Sequence, residues 1–151
     1  MKHSYLISFF VLTFISLNVF SQKLNYEISD NANKMFELGN YQRALEIYRN
    51  KYKKDLSDEK MKYKLGVCFV YTYQLADAIK FLEPISKKSS APSEIWYHLA
   101  RAYHLSNRYE KAILLYEKYV SINGTNTSDL VIKAKRNIVM CNNAKIIIKN
   151  L

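Results

Sequence analysis

The residues with most potential for chemistry are two histidines and two cysteines, and their spacing does not indicate a reactive site. His98 and His104 lie six residues apart on one predicted helix, hence on different faces, whereas a helical metal pair needs a spacing of four. Cys68 and Cys141 are the only cysteines, and neither has a metal-ligand neighbour. Three scattered glycines make no phosphate loop, and no histidine lies in a motif that pairs a base with a nucleophile. The sequence therefore predicts no enzyme, no metal and no cofactor.

The elements that must position these residues recur with a period of 34 residues. Such a period is typical of a solenoid, in which each unit buries its apolar face against its neighbours. Small residues at recurring positions let the two helices of a unit approach closely. The small residues in register are Ala32, Gly66 and Ala100, and then Ala44, Ala78 and Ala112.

The third unit shows the pattern most completely, and it resembles the tetratricopeptide repeat (TPR). Its residues read Trp96-x2-Leu99-Ala100-x2-Tyr103, followed by Ala112-x3-Tyr116. The resemblance implies an all-α fold, a TPR α-solenoid of three helix pairs plus a C-terminal capping helix. We place the repeats at about 25–58, 59–92 and 93–126, and the capping helix at about 129–149. In such a stack Cys68 and Cys141 lie farther apart than the roughly 7 Å Cα limit of a disulfide, which predicts two free, largely buried thiols.

The resemblance also implies a concave groove, lined by the first helix of each unit, which holds a partner protein's peptide or helix. Alternatively, the terminal helix or a neighbouring domain fills this groove. Tyr63 and Tyr97 stand where TPR clamps for C-terminal carboxylates have a lysine, so the resemblance does not extend to that role. The groove positions are Ser29, Asn33, Phe36, Lys60, Tyr63, Val67, Val70, Tyr71, Tyr97, Arg101, His104, Leu105, Lys135 and Ile138, of which we expect Tyr63, Val67, Val70, Tyr71, Tyr97, Arg101, His104 and Lys135 to bind the partner.

Residues 1–21 have the pattern of a secretory signal. A lysine is followed by about a dozen mostly apolar residues and by Val19-Phe20-Ser21, which resembles a cleavage site. The alternative is an uncleaved membrane anchor, although the run is shorter than the roughly 20 residues that span a bilayer. We expect an exported protein, in the periplasm or on the periplasmic face of the outer membrane, with residues 22–151 as its TPR domain.

The chain is basic, with a formal net charge of +10. Export would separate it from nucleic acid, so we expect no nucleic-acid partner. An anionic envelope polymer, lipid headgroups or an acidic protein would suit this charge. The other interpretation is a solvated basic face that keeps the protein soluble.

A narrower resemblance concerns the start of the mature chain and its last helix. These parts resemble the N-terminal TPR region of larger envelope proteins, which continue into a β-propeller and an OmpA-like peptidoglycan-binding domain in bacteria with type IX secretion and gliding motility. The motifs are Ala32-x3-Phe36-x2-Gly39-x-Tyr41-x2-Ala44 and Cys141-x2-Ala144-Lys145.

That resemblance implies an envelope scaffold or adaptor, associated with secretion or motility. The alternative is a structural module whose basic face binds anionic envelope polymer or peptidoglycan-associated assemblies. Neither the partner's identity nor the oligomeric state follows from the sequence.

Overall fold

The computed structural model describes residues 19, 21–23, 26–27, 30–53, 55–124 and 128–150. The predicted signal segment falls almost entirely outside these residues, as does Ser29 of the predicted groove. Within the described residues, no helix is both long enough and apolar enough to cross a membrane.

The described chain is built from helices joined by short turns. We label the helical residues 30–37 as α1, and residues 19, 21–23 and 26–27 are helical as well. Helix α1 pairs with α2, α3 with α4, and α5 with α6, which confirms the predicted solenoid of three helix pairs. The remaining helices are α2 (Tyr41–Tyr52), α3 (Glu59–Tyr71), α4 (Leu75–Ser86), α5 (Glu94–Leu105), α6 (Tyr109–Asn123) and α7 (Asp129–Lys149).

The same turn joins the two helices of each pair. Gly39, Tyr73 and Asn107, spaced 34 residues apart, all have left-handed backbones, with φ values of 73°, 59° and 58°. The next residue in each turn donates its backbone N–H to a carbonyl five residues earlier, at 2.8–2.9 Å. This hydrogen bond caps the end of the first helix, and the left-handed residue before it lets the chain reverse direction.

Small side chains allow close packing inside each pair. Ala32, Ala44 and Ala78 are completely buried. A Cβ atom added to Gly66 would lie 2.5 Å from Cδ2 of Leu82, so α3 and α4 pack closely here and a side chain at position 66 would displace Leu82. The recurring small residues of the sequence therefore mark the contacts inside the pairs.

Helix α7 covers the last pair. It packs on α6 and also contacts α5. The side chain of Asn137 is buried in this contact. Its Nδ2 donates a hydrogen bond to the Tyr116 hydroxyl at 3.1 Å, so the buried amide has a hydrogen-bond partner. Cys68 and Cys141 are free and buried, as predicted.

Candidate binding groove

The surface predicted to bind a partner is formed by the first helices of the units, α1, α3, α5 and α7, and we call it the groove. These helices lie side by side, because α3 contacts α5 directly and α5 contacts α7. Five of the eight expected binding residues reach its surface. Tyr63, Tyr71, Arg101 and His104 are half-buried, and Lys135 is exposed.

Three expected groove residues are buried, so the prediction that they touch a partner is corrected. Val67 and Val70 are completely inaccessible, and Tyr97 is 2% exposed. Helix α3 is surrounded by α2, α4 and α5, so the whole of its stretch 65–70 is buried. Tyr97 lies instead against the rings of Tyr116 and Tyr119 on α6. These side chains pack beneath the surface of the groove and are not accessible to a partner.

Aromatic rings form a continuous row across the three units. Tyr41 stacks on Tyr71 with ring centroids 4.2 Å apart, and the edge of Tyr71 meets His98 at 5.7 Å. His98 also lies edge-on to Tyr63 and Tyr97. We call this set the aromatic row, and its members are Tyr41, Tyr63, Tyr71, Tyr97 and His98.

The hydroxyls of Tyr63 and Tyr71 stay protonated near neutral pH. Burial raises the pKa of Tyr71 to about 12, and burial also raises the pKa of Tyr63. Both hydroxyls can therefore donate a hydrogen bond to a carbonyl or carboxylate of a bound molecule. Their rings supply large apolar contact areas with few rotatable bonds, which is why tyrosine is common at interfaces.

His98 is a buried polar side chain of the row. It is 8% exposed, and its Nδ1 atom has no hydrogen-bond partner. Burial, with a further contribution from the Arg101 charge, lowers its pKa to about 4. The imidazole is therefore neutral at physiological pH and acts as an uncharged ring in the packing.

Arg101 brings a positive charge into this aromatic setting. Its guanidinium carbon lies 5.2 Å from the centroid of Tyr71, within cation–π range, while its buried Nε atom has no hydrogen-bond partner. Among the ion pairs of the described residues, none involves Arg101. The groove thus holds a guanidinium whose donor capacity is incompletely used.

His104 and Lys135 flank this charge at different depths. His104 lies edge-on to Tyr109 and Tyr116, and burial together with the Arg101 charge lowers its pKa. Lys135 is exposed on α7. The neighbouring Lys133 forms an ion pair with Asp129 at the start of the same helix. Arg101 and Lys135 both contribute positive charge to the groove helices.

Sequence reasoning missed two members of the row, Tyr41 and His98. It assigned Tyr41 to the repeat core, and His98 was not among the groove positions. One signal was present in the sequence. Tyr41 follows directly after the Gly39-Asn40 turn and Tyr71 directly precedes the next turn, so both lie at the same end of their units.

A second surface depression lies on the outer side, between α4, α5 and α6. Its volume is about 540 Å³, and Trp96 and Leu114 contribute to its lining together with Lys87, Lys111 and Lys118. The ammonium group of Lys118 lies 3.5 Å from the centroid of Trp96. This outer pocket combines basic side chains with apolar surface.

Neither surface, as far as the structure describes it, brings together a cluster of metal-binding side chains. In the part of the chain that the structure describes, no cluster of three or more His, Cys, Asp or Glu side chains could hold a metal ion. What the groove offers is ring surface, hydroxyl donors and a guanidinium. These are the means of binding a polypeptide.

Comparisons with known proteins agree with this class of structure. Residues 93–126 match the tetratricopeptide repeat family. No curated protein sequence matches the chain. The solved structure of the Sgt2 TPR domain from Aspergillus fumigatus is similar, with a TM-score of 0.62 and 19% identity, over 82% of this chain and 80% of that chain.

The fold and the groove together define an all-helical repeat protein. More particularly, the fold is that of a TPR solenoid, with its third unit matching the repeat in sequence as well as in structure. Solenoids of this kind present an extended binding surface and are scaffolds for protein interaction.

Proposed function

We propose that this protein is an interaction scaffold of the bacterial cell envelope, which holds a peptide segment or helix of a partner protein along the groove. The single observation that carries the binding role is Arg101. Its guanidinium lies on the Tyr71 ring within the aromatic row, with Nε unpartnered. Because Arg101 is half-buried and forms none of the ion pairs of the described residues, an acceptor that reaches the accessible part of its guanidinium would form a charge-assisted hydrogen bond.

The proposed ligand follows from the chemistry of the accessible groove residues. Tyr63 and Tyr71 would contact apolar or aromatic side chains and donate hydrogen bonds to main-chain carbonyls. Arg101 would pair with an Asp or Glu side chain or with a carbonyl, and Lys135 would add a weaker, solvent-screened attraction. The partner segment we expect is therefore mixed, with apolar side chains beside at least one acidic residue.

The envelope location in this proposal rests on the sequence alone. Its supports are the signal-like pattern of residues 1–21 and the resemblance to envelope proteins of type IX-secreting bacteria. An association with the secretion or motility machinery, or with outer-membrane and peptidoglycan complexes, extends the same resemblance. Fractionation of cells that carry the tagged chain tests the location separately from the binding, and recovery in the cytoplasm would contradict it.

The binding role is tested by capture from an envelope extract with a matched pair of variants. The groove variant combines Tyr63→Ala with Arg101→Ala. The control variant, Tyr73→Ala with Arg108→Ala, removes the same residue types from exposed turn positions. Tyr97 is left intact because it is buried. Both variants must keep the helical circular dichroism and the unfolding temperature of the parent.

The expected result is one or a few partners that the parent and the control retain and the groove variant loses. Titration of an identified partner should show affinity reduced at least about tenfold by the groove substitutions, the effect of losing about 1.4 kcal/mol. Equal retention by all three proteins would contradict the groove as the binding surface.

A second candidate function is binding of an anionic envelope polymer by the outer pocket, with its three lysines. Retention on such a polymer that falls steeply with salt, and that Lys87→Ala with Lys111→Ala abolishes, would favour this function. Retention unaffected by these substitutions would count against it.

A further inference from the structure

A pocket lies beside the aromatic row, at the N-terminal end of α3. It is bounded by the first two turns of α3, by the end of α4 and by the connection from α4 to α5. Its volume is about 440 Å³, within the range of pockets that hold a ligand. We call it the α3 pocket.

Part of the lining of the α3 pocket is apolar. Tyr63, Ile85 and Pro92 contribute to it. Ile85 is buried and Tyr63 is half-buried, so this surface is held in place by the packing of the fold. Because Tyr63 is also a member of the aromatic row, the pocket and the groove are continuous at this residue. A large apolar side chain that enters from the groove would bury its surface here.

The lining of the α3 pocket also carries more positive than negative charge. Lys60, Lys64 and Lys88 contribute to it together with one acid, Glu59. The Glu59 carboxylate is already engaged, since its oxygens lie 3.0 Å from Nζ of Lys62 and 2.8 Å from Nζ of Lys88. Lys60 and Lys64 take part in none of the ion pairs of the described residues.

These two lysines lie one helical turn apart on the same face of α3. Lys64 donates a hydrogen bond from Nζ to Oδ1 of Asn33 at 2.7 Å, and the same Nζ lies 5.2 Å from the centroid of Phe36. Neutral groups therefore hold the Lys64 ammonium in position without cancelling its charge. A carboxylate brought by a ligand would meet a positioned cation here.

A second positioned cation lies at the other end of the aromatic row. The Arg101 guanidinium lies over the ring of Tyr71, which is eight residues after Tyr63 on α3. At 1.5 Å per residue, the two tyrosines are about 12 Å apart along the helix axis. His98 contacts both of their rings, so an aromatic surface connects the α3 pocket to Arg101.

A distance of about 12 Å corresponds to about four residues of extended chain or about eight residues of helix. The hydroxyls of Tyr63 and Tyr71 favour the extended chain. They can donate to main-chain carbonyls only where those carbonyls are free, whereas the carbonyls inside a helix already accept hydrogen bonds from their own helix.

The following inference rests on the proposed function and specifies its ligand. We propose that the partner segment is an extended peptide with two acidic side chains about four positions apart. One acid pairs with Lys60 and Lys64, the other pairs with Arg101, and an apolar side chain beside the first acid fills the α3 pocket. Both acids are side chains within the segment, so no chain terminus takes part.

The test measures binding of labelled synthetic peptides to the full chain by fluorescence anisotropy. The reference peptide carries two glutamates four positions apart in a glycine-serine background. A leucine stands beside each glutamate, so that the peptide fits in either chain direction, and both termini are blocked. Companion peptides place the glutamates two or eight positions apart, or replace one or the other glutamate by glutamine.

A matched pair of variants isolates the charge of the α3 pocket. The pocket variant combines Lys60→Gln with Lys64→Gln, which keeps long polar side chains and a donor for Asn33. The control variant combines Lys53→Gln with Lys80→Gln, two exposed lysines at the end of α2 and on α4, which are not groove helices. Arg101→Gln removes the other cation. All variants must keep the helical circular dichroism of the parent.

We expect the reference peptide to bind more tightly than the peptides with the other two spacings. The pocket variant and Arg101→Gln should each weaken it at least about fivefold, the effect of losing one charge pair at a partly exposed site. The control variant should bind it as the parent does.

The two glutamine-substituted peptides should divide the effects. One of them should become insensitive to the pocket variant while it still responds to Arg101→Gln, and the other should show the reverse. This is the pattern of two separate charge pairs in a double-mutant cycle.

Four outcomes would overturn the inference. The first is tightest binding at a spacing of eight, which would mean a helical segment. The second is affinity that does not depend on spacing, and the third is an equal loss in the control variant, since both mean nonspecific attraction. The fourth is no binding of the reference peptide up to about 1 mM.

Failure of this inference can be told apart from failure of the proposed function. If the partner captured from the envelope extract is lost by the Tyr63→Ala, Arg101→Ala variant but kept by Lys60→Gln with Lys64→Gln, the groove binds a partner without the α3 pocket, and only the inference fails. If all variants retain the partner equally, the proposed function fails as well.

Discussion

The ring of Tyr71, the last residue of α3, stacks on the ring of Tyr41, the first residue of α2, with centroids 4.2 Å apart and 12° between their planes. This contact joins the first and second units at one end of the groove. It also supports Arg101, whose guanidinium lies over the same Tyr71 ring. One aromatic pair therefore links the packing of two units to the proposed binding charge.

The stacked pair should show measurable coupling in stability. Tyr41→Ala and Tyr71→Ala should each lower the free energy of unfolding, and the double variant should lose less than their sum. We expect a coupling energy of about 0.5–1.5 kcal/mol, measured by urea unfolding. The control is a second cycle that combines Tyr41→Ala with Tyr73→Ala. Tyr73 is exposed, so the losses of this cycle should be additive. Additivity for the stacked pair would contradict this contact.

Gly66 should tolerate no side chain. Gly66→Ala would bring a methyl group to 2.5 Å from Leu82 Cδ2, and we expect it to destabilise the fold by about 1–3 kcal/mol. The measurement is chemical unfolding of Gly66→Ala, Leu82→Ala and the double variant. Leu82→Ala removes the clashing atoms. The double variant should therefore lose clearly less stability than the sum of the losses of the two single variants. A strictly additive result would mean that the clash is not the cause.

Tyr73 holds a backbone conformation that disfavours any side chain. Its φ of 59° places it in the left-handed region, at the turn position that Gly39 and Asn107 occupy in the other units. Tyr73→Gly should raise the free energy of unfolding by about 0.5–1 kcal/mol, since glycine adopts this region without strain. Asn107→Gly is the matched comparison and should gain less, because asparagine tolerates the conformation. A loss of stability in Tyr73→Gly would show that the exposed ring contributes more than the strain.

Stability should fall in mildly acidic solution because of His98. Its pKa is about 4 in the folded chain and 6.5 in the reference state. Between these values the unfolded chain binds a proton that the folded chain does not, so stability decreases as pH falls from 6.5 towards 4. The contribution of His98 to the slope should approach about 1.4 kcal/mol per pH unit.

The comparison that isolates this effect uses urea unfolding at several pH values for the wild type and for His98→Leu. The variant should lose less stability over this range. His104→Gln is the control, because it removes the other histidine with a lowered pKa and leaves the His98 contribution intact. Parallel pH profiles for the wild type and His98→Leu would contradict the assignment.

The two native thiols should be unreactive in the folded protein. Burial raises the pKa of Cys68 to about 12 and that of Cys141 to about 11, and both side chains are completely inaccessible. A thiol-specific chromogenic reagent should therefore react with neither at neutral pH until a denaturant is added. Leu114→Cys, which introduces an exposed thiol on α6, should react at once. Rapid labelling of the wild type would show that this part of the stack opens easily.

The sequence by itself determined the repeat, the helix pairs and the places where they turn. These features follow from local rules, since a small residue every 34 positions marks a close helix contact and each turn needs a left-handed residue at a fixed place. The spacing of the histidines and cysteines also predicts no reactive grouping, and the free state of Cys68 and Cys141 followed from the order of the units in the stack.

Only the tertiary structure decided which groove residues a partner can reach. Val67 and Val70 occupy predicted groove positions, yet neighbouring helices cover them, and burial of this kind depends on how closely α5 approaches α3. The same holds for His98, which meets Tyr63 and Tyr71 from the next unit along the chain. Such contacts join residues far apart in sequence, and no local pattern specifies the distance between them. The exposed side of α7 was likewise decided by packing, which covers one of its two apolar sides and leaves the other open.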